Sequence, residues 1–359
     1  MKNPKKILII IQRSNGDVFL SLSLINRLYE SYKSPSIDLL VNDDTEAIAE
    51  LIPHINKIHY FSYKQKKENR IQQEKNLFIS LFRKYDLSIN LTASDRSVIY
   101  ALLASKNSIS AIEKDYKKSW WKKTLLTHSY FFEPSKHVLL NNLESLNILK
   151  IQHENLQETV EFSKEEILNV KNKLDDYGIK RFIIFHPSAQ YMYKVYPKKM
   201  RDKLLILLNT LGISIVITGG NNDIDQQIKN EILPQKNVFN LIGLTSLKEY
   251  FILSELSKGY IGMDTLNMHI AAAQNKRIFA IFGPTNLNMW SPWSNHLKSG
   301  TIENQPVQTY GLNTIFQGSL PCVACGKAGC DNNHGKSDCL DMISYEKIFY
   351  NISNWYKDV

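Results

Sequence analysis

The sequence predicts an α/β protein built from two doubly wound, Rossmann-like halves. Strand-like and helix-like segments alternate along most of the 359 residues, which is the pattern of a parallel sheet covered by helices. The strand candidates are continuous apolar runs, as expected for strands that are buried on both faces. A chain of this length exceeds what a single hydrophobic core usually holds, so two domains are expected.

The first half begins with a strand at Lys6 to Gln12 that ends at the Ser14-Asn15-Gly16 turn. In the segment after it, apolar residues recur with the spacing of a helix. The elements predicted after this strand are helices at Val18 to Tyr32, Thr45 to Leu51, Phe78 to Tyr85 and Val98 to Ala104, and strands at Ile37 to Val41, Lys57 to Phe61 and Leu87 to Thr92.

The second half repeats the alternation after a stretch that is poor in strands and rich in Asn, Gln and Glu, from Leu139 to Leu174. The predicted domains are therefore residues 1–155 and 156–340, followed by a C-terminal helix within 341–359. The predicted strands are Arg181 to His186, Ile213 to Thr218, Val238 to Ile242, Gly259 to Gly262 and Arg277 to Phe282, and the predicted helices are Lys198 to Leu211, Leu247 to Leu256 and Met268 to Gln274.

Composition and charge exclude several classes of protein. A content of 43% hydrophobic and 22% charged residues argues against collagen-like, disordered and disulfide-stapled chains. No uninterrupted apolar run, Ile7 to Ile11 included, approaches the roughly 18 residues of a membrane-spanning helix. The basic start lacks a signal-peptide pattern, so a cytoplasmic protein is expected. The net charge of +9 favours an anionic partner.

Polar residues follow four of the predicted strands, at the sheet edge where ligands bind in parallel sheets. Each segment alone is a weak signal. The four segments are Arg13-Ser14-Asn15-Gly16-Asp17, His186-Pro187-Ser188 with Lys194, Thr218-Gly219-Gly220, and Asp264-Thr265 with His269.

In this order the motifs resemble glycosyltransferase family 9, the heptosyltransferases of lipopolysaccharide core assembly. The resemblance rests on RSNGDV, HPSA followed by KVYP, ITGG, LIGLTSL, GMDTLNMHIAAA, and FGPT followed by Trp290 and Pro292. It implies a GT-B fold, in which two Rossmann-like domains face a central cleft. The first domain would bind the acceptor and the second the nucleotide-sugar, with the C-terminal helix packing back toward the N-terminal domain.

Asp17 is the candidate catalytic residue. By position alone it can simply cap the following helix. The resemblance implies instead that Asp17 is the general base, which takes a proton from the acceptor hydroxyl in an inverting transfer that requires no cofactor. Arg13 would contact an anionic acceptor, or pair with a carboxylate.

The resemblance makes Lys194 the candidate for stabilising the leaving diphosphate, because the Lys-x-aromatic-Pro pattern of the family stands here as Lys-Val-Tyr-Pro; a solvated loop lysine is the alternative. Ser188 lies in the same loop. The resemblance implies that Asp264, Thr265 and His269 hold the phosphates and ribose of the donor, although capping is an alternative for the first two.

Two further features concern the donor pocket. Gly219 and Gly220 would shape the nucleoside site or form an ordinary turn. Many relatives carry Gly where this chain has Leu266, and a Cβ there would crowd the approach of backbone to phosphate.

The four cysteines, Cys322, Cys325, Cys330 and Cys339, are confined to one segment. Four thiolates can bind a structural zinc or iron ion, but the spacing of the second pair is unusual, so free thiols are the alternative. A basic, aromatic stretch from Lys114 to Lys123 is either solvated surface or a contact for an anionic lipid surface, with Lys118 and Lys122 as candidate acceptor contacts.

The predicted function is inverting, metal-independent transfer of a heptose or related sugar, with ADP-heptose the expected donor. The acceptor would be an anionic lipopolysaccharide or lipooligosaccharide core at the inner leaflet of the membrane, and no nucleic acid is expected as a partner. The alternatives are an autotransporter protein heptosyltransferase with an iron-binding Cys cluster, a non-enzymatic basic nucleic-acid-binding protein, and a family member without activity.

Overall fold

The computed structural model describes residues 3–357 and divides the chain into two compact units, Met1–Val160 and Glu161–Val359. The boundary predicted from the sequence falls at 155/156. In the described residues, no helix combines the length and the apolar character that crossing a membrane would require.

The first unit contains a six-stranded parallel sheet with the order β3-β2-β1-β4-β5-β6. Ile7 to Ile11 are almost completely inaccessible to solvent, as predicted for a central strand. The order reverses between β1 and β4, so this pair forms the topological switch point where ligands bind in open α/β sheets. The strands are β1 Lys6–Ile11, β2 Ser36–Asn42, β3 Ile55–Phe61, β4 Leu87–Asn90, β5 Ser108–Ile112 and β6 His128–Phe131.

Helices cover the faces of this sheet. The single helix predicted from Val18 to Tyr32 is interrupted around Leu20 and forms two helices. The helices are α1 Asn15–Phe19, α2 Leu22–Ser31, α3 Glu46–Ala49, α4 Tyr63–Glu68, α5 Arg70–Leu81, α6 Asp95–Ala104, α7 Tyr116–Leu125 and α8 Val138–Leu149, with a 3₁₀ turn at Asp43–Thr45.

The second unit contains a seven-stranded sheet with the order β12-β13-β11-β10-β7-β8-β9. Only β12 is antiparallel to its neighbour. The order reverses between β7 and β10, which makes that pair the switch point of this sheet. The strands are β7 Phe182–His186, β8 Ser214–Ile217, β9 Val238–Asn240, β10 Gly259–Met263, β11 Arg277–Phe282, β12 Val307–Tyr310 and β13 Asn313–Gln317.

The C-terminal helix of the second unit packs against that unit's own core. Ile348 and Ile352 are fully buried, and the ring of Trp355 lies 5.5 Å from that of Phe279. Packing of this helix toward the N-terminal domain stays a prediction. The helices are α9 Lys164–Asp176, α10 Lys198–Asn209, α11 Asp223–Glu231, α12 Leu247–Leu256, α13 Leu266–Ala273, α14 Leu287–Trp290, α15 Asp338–Asp341 and α16 Tyr345–Lys357, with a 3₁₀ turn at Met192–Lys194.

Candidate functional site

The switch point of the second sheet brings Lys194 and Asp264 together. The loop after β7 carries Lys194 and the loop after β10 begins with Asp264, and their Nζ and Oδ2 atoms are 3.1 Å apart. Burial opposes the charge of the lysine, but attraction to Asp264 outweighs it, so the pKa of Lys194 is raised above its ordinary value. The structure therefore holds a protonated amine at this edge of the sheet.

Ser188, Thr265 and His269 belong to the same sheet edge. Ser188 lies two residues after the end of β7 and is only 2% exposed. Its hydroxyl has no hydrogen-bond partner among the described residues. Because an unsatisfied buried hydroxyl is unfavourable, this group is available to a ligand. Thr265 is the N-cap of α13, and His269 is buried in the first turns of that helix. The helix N-terminus adds a partial positive charge.

A cluster of hydrogen-bonded polar side chains lies next to these loops. His186, the last residue of β7, has its Nδ1 atom 3.1 Å from the Thr218 hydroxyl and 3.0 Å from Nδ2 of Asn267. Burial lowers the pKa of His186 to about 4, so the imidazole is neutral at neutral pH. Asn267 was not predicted as a site residue. The only sequence signal for it is its position directly after Leu266, where the chain departs from the family pattern.

The buried imidazole of His186 makes the stability of the chain depend on pH. Its folded pKa, about 4, lies below the ordinary value of 6.5, so the unfolded chain binds this proton more readily. The stabilisation is complete above the unfolded pKa and is lost as the pH falls toward the folded one. Between about pH 7.5 and about pH 4.5, we expect the wild type to lose about 2 kcal/mol more unfolding free energy than His186→Gln.

Urea unfolding at several pH values measures this difference. The exposed His128 offers a matched control, because His128→Gln makes the same change of residue type at the surface. Identical pH dependences for wild type and His186→Gln would contradict the expectation.

Gly219 and Gly220 pack against the buried carboxylate of Asp225. A Cβ at Gly219 would lie 2.8 Å from Oδ1 of Asp225, and a Cβ at Gly220 would lie 3.1 Å from its Oδ2. Asn222 caps α11 by accepting a hydrogen bond from the Asp225 N–H at 2.9 Å. The N-terminus of α11 approaches the backbone at Gly219 and Gly220 too closely for a side chain, which accounts for the two glycines. Their contact with a nucleoside stays a prediction.

Asp17 lies after β1, at the switch point of the first sheet. Its carboxylate accepts a hydrogen bond of 2.7 Å from the Ser14 hydroxyl and lies 3.1 Å from Nε of Arg13. The guanidinium of Arg13 also stacks over the ring of Phe132, 4.9 Å from its centre. The geometry shows the capping role of Asp17, and only 4% of the residue is exposed. Its role as a base stays a prediction.

The prediction that Lys122 contacts the acceptor is wrong for a physical reason. The side chain is 0% exposed, and Nζ lies 2.7 Å from carboxylate oxygens of both Asp95 and Glu113. It also donates to the carbonyl of Ala93 at 2.7 Å. Lys122 is thus a buried structural cation. Lys118 is exposed on the same helix, and its contact with an acceptor stays a prediction.

The cysteine segment carries free thiols. Cys339 is buried, and burial together with the neighbouring thiols raises its pKa to about 11. Among residues 3–357, no three His, Cys, Asp or Glu side chains converge closely enough to ligate a metal ion. These thiols therefore do not form a preassembled tetrahedral site, and a structural zinc or iron ion stays a prediction from their spacing.

Known proteins resemble this chain in sequence and in fold. The family model of glycosyltransferase family 9 (heptosyltransferase) matches residues 75–317. Lipopolysaccharide heptosyltransferase 3 from Escherichia coli is 28% identical over 296 residues, which cover 79% of this chain and 85% of that protein.

Two solved structures show the same fold over nearly the whole chain. A family 9 glycosyl transferase from Veillonella parvula matches with a TM-score of 0.73 and 17% identity, covering 99% of this chain and 98% of that one. The ADP-heptose lipopolysaccharide heptosyltransferase II of Escherichia coli matches with a TM-score of 0.71 and 18% identity, covering 98% and 99%. The predicted GT-B fold is confirmed. The family model spans more than half of the residues of this chain. The chain therefore belongs to glycosyltransferase family 9, the heptosyltransferases, and is a glycosyltransferase.

Proposed function

We propose that this chain transfers a heptose from ADP-heptose to an anionic lipopolysaccharide or lipooligosaccharide core, with inversion at the anomeric carbon. The observation that carries the proposal is the ion pair of Lys194 and Asp264 at the same sheet edge as Ser188, whose hydroxyl has no partner among the described residues. The names of two relatives support the substrates, since one is a lipopolysaccharide heptosyltransferase and the other an ADP-heptose enzyme.

The residues that bind the sugar donor act on its leaving group. When the bond between the anomeric carbon and the phosphate oxygen breaks, the bonding electrons leave with ADP and negative charge grows on the diphosphate. The cation of Lys194 and the N-terminus of α13 stabilise that charge electrostatically. Ser188 donates a hydrogen bond from its hydroxyl group to a phosphate oxygen. Asp264 positions Lys194 and keeps it protonated before the donor binds.

Asp17 acts on the acceptor. Its carboxylate takes the proton of the acceptor hydroxyl as that oxygen forms the new bond to the anomeric carbon, on the face opposite the departing ADP. A single displacement of this kind inverts the configuration. Arg13 pairs with Asp17 before the acceptor arrives and is the first candidate to contact an anionic group of the acceptor.

We further propose that the enzyme works at the cytoplasmic face of the inner membrane. The net charge of +9 favours an anionic lipid surface. On α7, Lys118 and the half-exposed Trp120 are directed to solvent and suit such a surface. Membership of an enzyme family leaves the nucleic-acid-binding alternative unsupported.

Thermal-shift measurements with ADP-heptose and with GDP- and UDP-sugars test the donor. A ligand that binds only the folded chain at about a hundredfold excess over Kd stabilises it by about 2.7 kcal/mol. We expect the largest rise in Tm with ADP-heptose. A larger rise with another sugar nucleotide would overturn the assignment of the donor, and transfer to a polypeptide but not to a lipid core would favour the protein-acceptor alternative.

A further inference from the structure

Arg96 is a second cation at the carboxyl edge of the first sheet, and the sequence patterns did not single it out. It lies in the first turn of α6, directly after β4, and is half-buried. Because β4 and β1 flank the switch point, Arg96 shares this edge with the residues that follow β1.

Neutral groups hold the guanidinium of Arg96 in place. Its central carbon lies 3.7 Å from the centre of the Phe61 ring and 5.1 Å from that of Tyr63. Nη2 donates to the Tyr63 hydroxyl at 3.0 Å, and Nε donates to Oε1 of Gln12 at 3.3 Å. Stacking on aromatic faces fixes the plane of the guanidinium but does not neutralise its charge.

The positive charge of Arg96 has no counter-ion within the part of the chain that the structure describes. The carboxylate of the adjacent Asp95 instead forms an ion pair with the buried Lys122, with Oδ1 2.7 Å from Nζ. This differs from Arg13, whose charge is paired with Asp17. Arg96 is therefore a positioned cation that lacks an anion.

Gln12 supplies an independent observation. Only 6% of this residue is exposed, and its Nε2 group is buried without a hydrogen-bond partner among residues 3–357. The oxygen of the same amide accepts from Arg96, so the unsatisfied donor lies beside the guanidinium. A buried amide donor without an acceptor is unfavourable, and an oxygen of a ligand placed here would satisfy it.

We propose that Gln12 and Arg96 bind an anionic oxygen group of the acceptor, either a phosphate monoester or the carboxylate of an acidic sugar. This inference rests on the proposed function. Both groups match the planar fork of a guanidinium, and charge-assisted hydrogen bonds are the strongest kind. Asp17 lies five residues after Gln12, so this contact selects which acceptor hydroxyl reaches the base.

Steady-state kinetics with ADP-heptose and a lipooligosaccharide truncated to its inner core tests the proposal. Arg96→Gln should raise the acceptor KM by about 10- to 100-fold and leave the donor KM unchanged. Gln12→Glu should have a similar effect, because the nearly isosteric carboxylate neutralises Arg96 and repels the acceptor. Arg83→Gln is the matched control, since Arg83 also stacks on a ring, that of Phe82, but lies before β4 at the opposite edge.

Gln12→Glu separates binding from folding. If Arg96 had only a structural role, the new ion pair would leave the acceptor KM unchanged, and that outcome would overturn the proposal. Acceptor samples that have been dephosphorylated or carboxyl-reduced identify the anion, because the wild type should behave like Arg96→Gln when the relevant group is missing. A variant effect that persists unchanged in both samples would also overturn it.

Calorimetric titration with the core acceptor distinguishes failure of the anion site from failure of the proposed transfer reaction. A wild-type chain without transfer from ADP-heptose would refute the proposed donor reaction. Weaker acceptor binding by Arg96→Gln than by Arg83→Gln would still support the anion site, and equal binding would refute it.

Discussion

Asp17→Asn should lower kcat by about 10²- to 10⁴-fold, which is the contribution of a general base, while the affinity for ADP-heptose stays unchanged. The amide cannot accept the proton of the acceptor hydroxyl. It keeps the size of the side chain and an oxygen that can accept from Ser14, so α1 should remain capped. Measuring kcat together with donor affinity by calorimetry separates loss of chemistry from loss of binding.

Glu166 provides the matched control for the capping role of Asp17. It occupies the same third helical position in α9, where its carboxylate accepts from the Ser163 N–H at 2.7 Å. Glu166→Gln therefore removes a capping carboxylate at the same helical position, and turnover should stay normal. Wild-type turnover of Asp17→Asn would show that Asp17 only caps its helix.

Lys194→Ala should lower kcat/KM for the donor by about 10²- to 10³-fold, the range found when one charge-stabilising donor is removed. The variant loses the cation that faces the diphosphate. It also leaves the carboxylate of Asp264, whose side chain is 7% exposed, without its partner and close to the negatively charged ligand. Initial rates at varied ADP-heptose and the Kd of ADP measure the two effects.

Lys198→Ala is the control for this substitution. Lys198 lies four residues later and pairs with Asp202 on the surface, so its loss should change donor kinetics little. The double variant Lys194→Ala with Asp264→Asn should regain part of the ADP affinity, because the unpaired charge is removed. If Lys194→Ala bound ADP as the wild type does, the assignment of Lys194 to the diphosphate would be wrong.

The alternation of apolar runs and helical periods predicted the parallel strands that form the centre of both sheets. It missed β5 and β6, because SISAI and HSYF contain too many polar residues to stand out as buried strands. It also missed β12 and β13, in which polar residues interrupt the apolar pattern. Pairing with neighbouring strands of the sheet decides that these segments are extended.

The sequence predicted Lys194 and Asp264 at one edge because both follow strands of the same sheet, and the structure pairs them. It did not predict that Lys122 points inward, because that direction depends on Glu113 and Asp95 from other elements. Arg96 was missed for the same reason, since its neighbours Phe61 and Gln12 come from two different strand ends. A charge pattern along the chain cannot show which charges are neutralised in three dimensions.

The contact of Trp355 with Phe279 has a consequence for how the protein is made. The same tryptophan also lies against Gly259, where an added Cβ would be 3.2 Å from its ring, so α16 covers the strands β10 and β11. On the ribosome, every strand of the second sheet is translated before this helix. The part of β10 and β11 that Trp355 covers therefore stays uncovered until residues 345–357 leave the exit tunnel, and the nascent chain is exposed to aggregation over that interval.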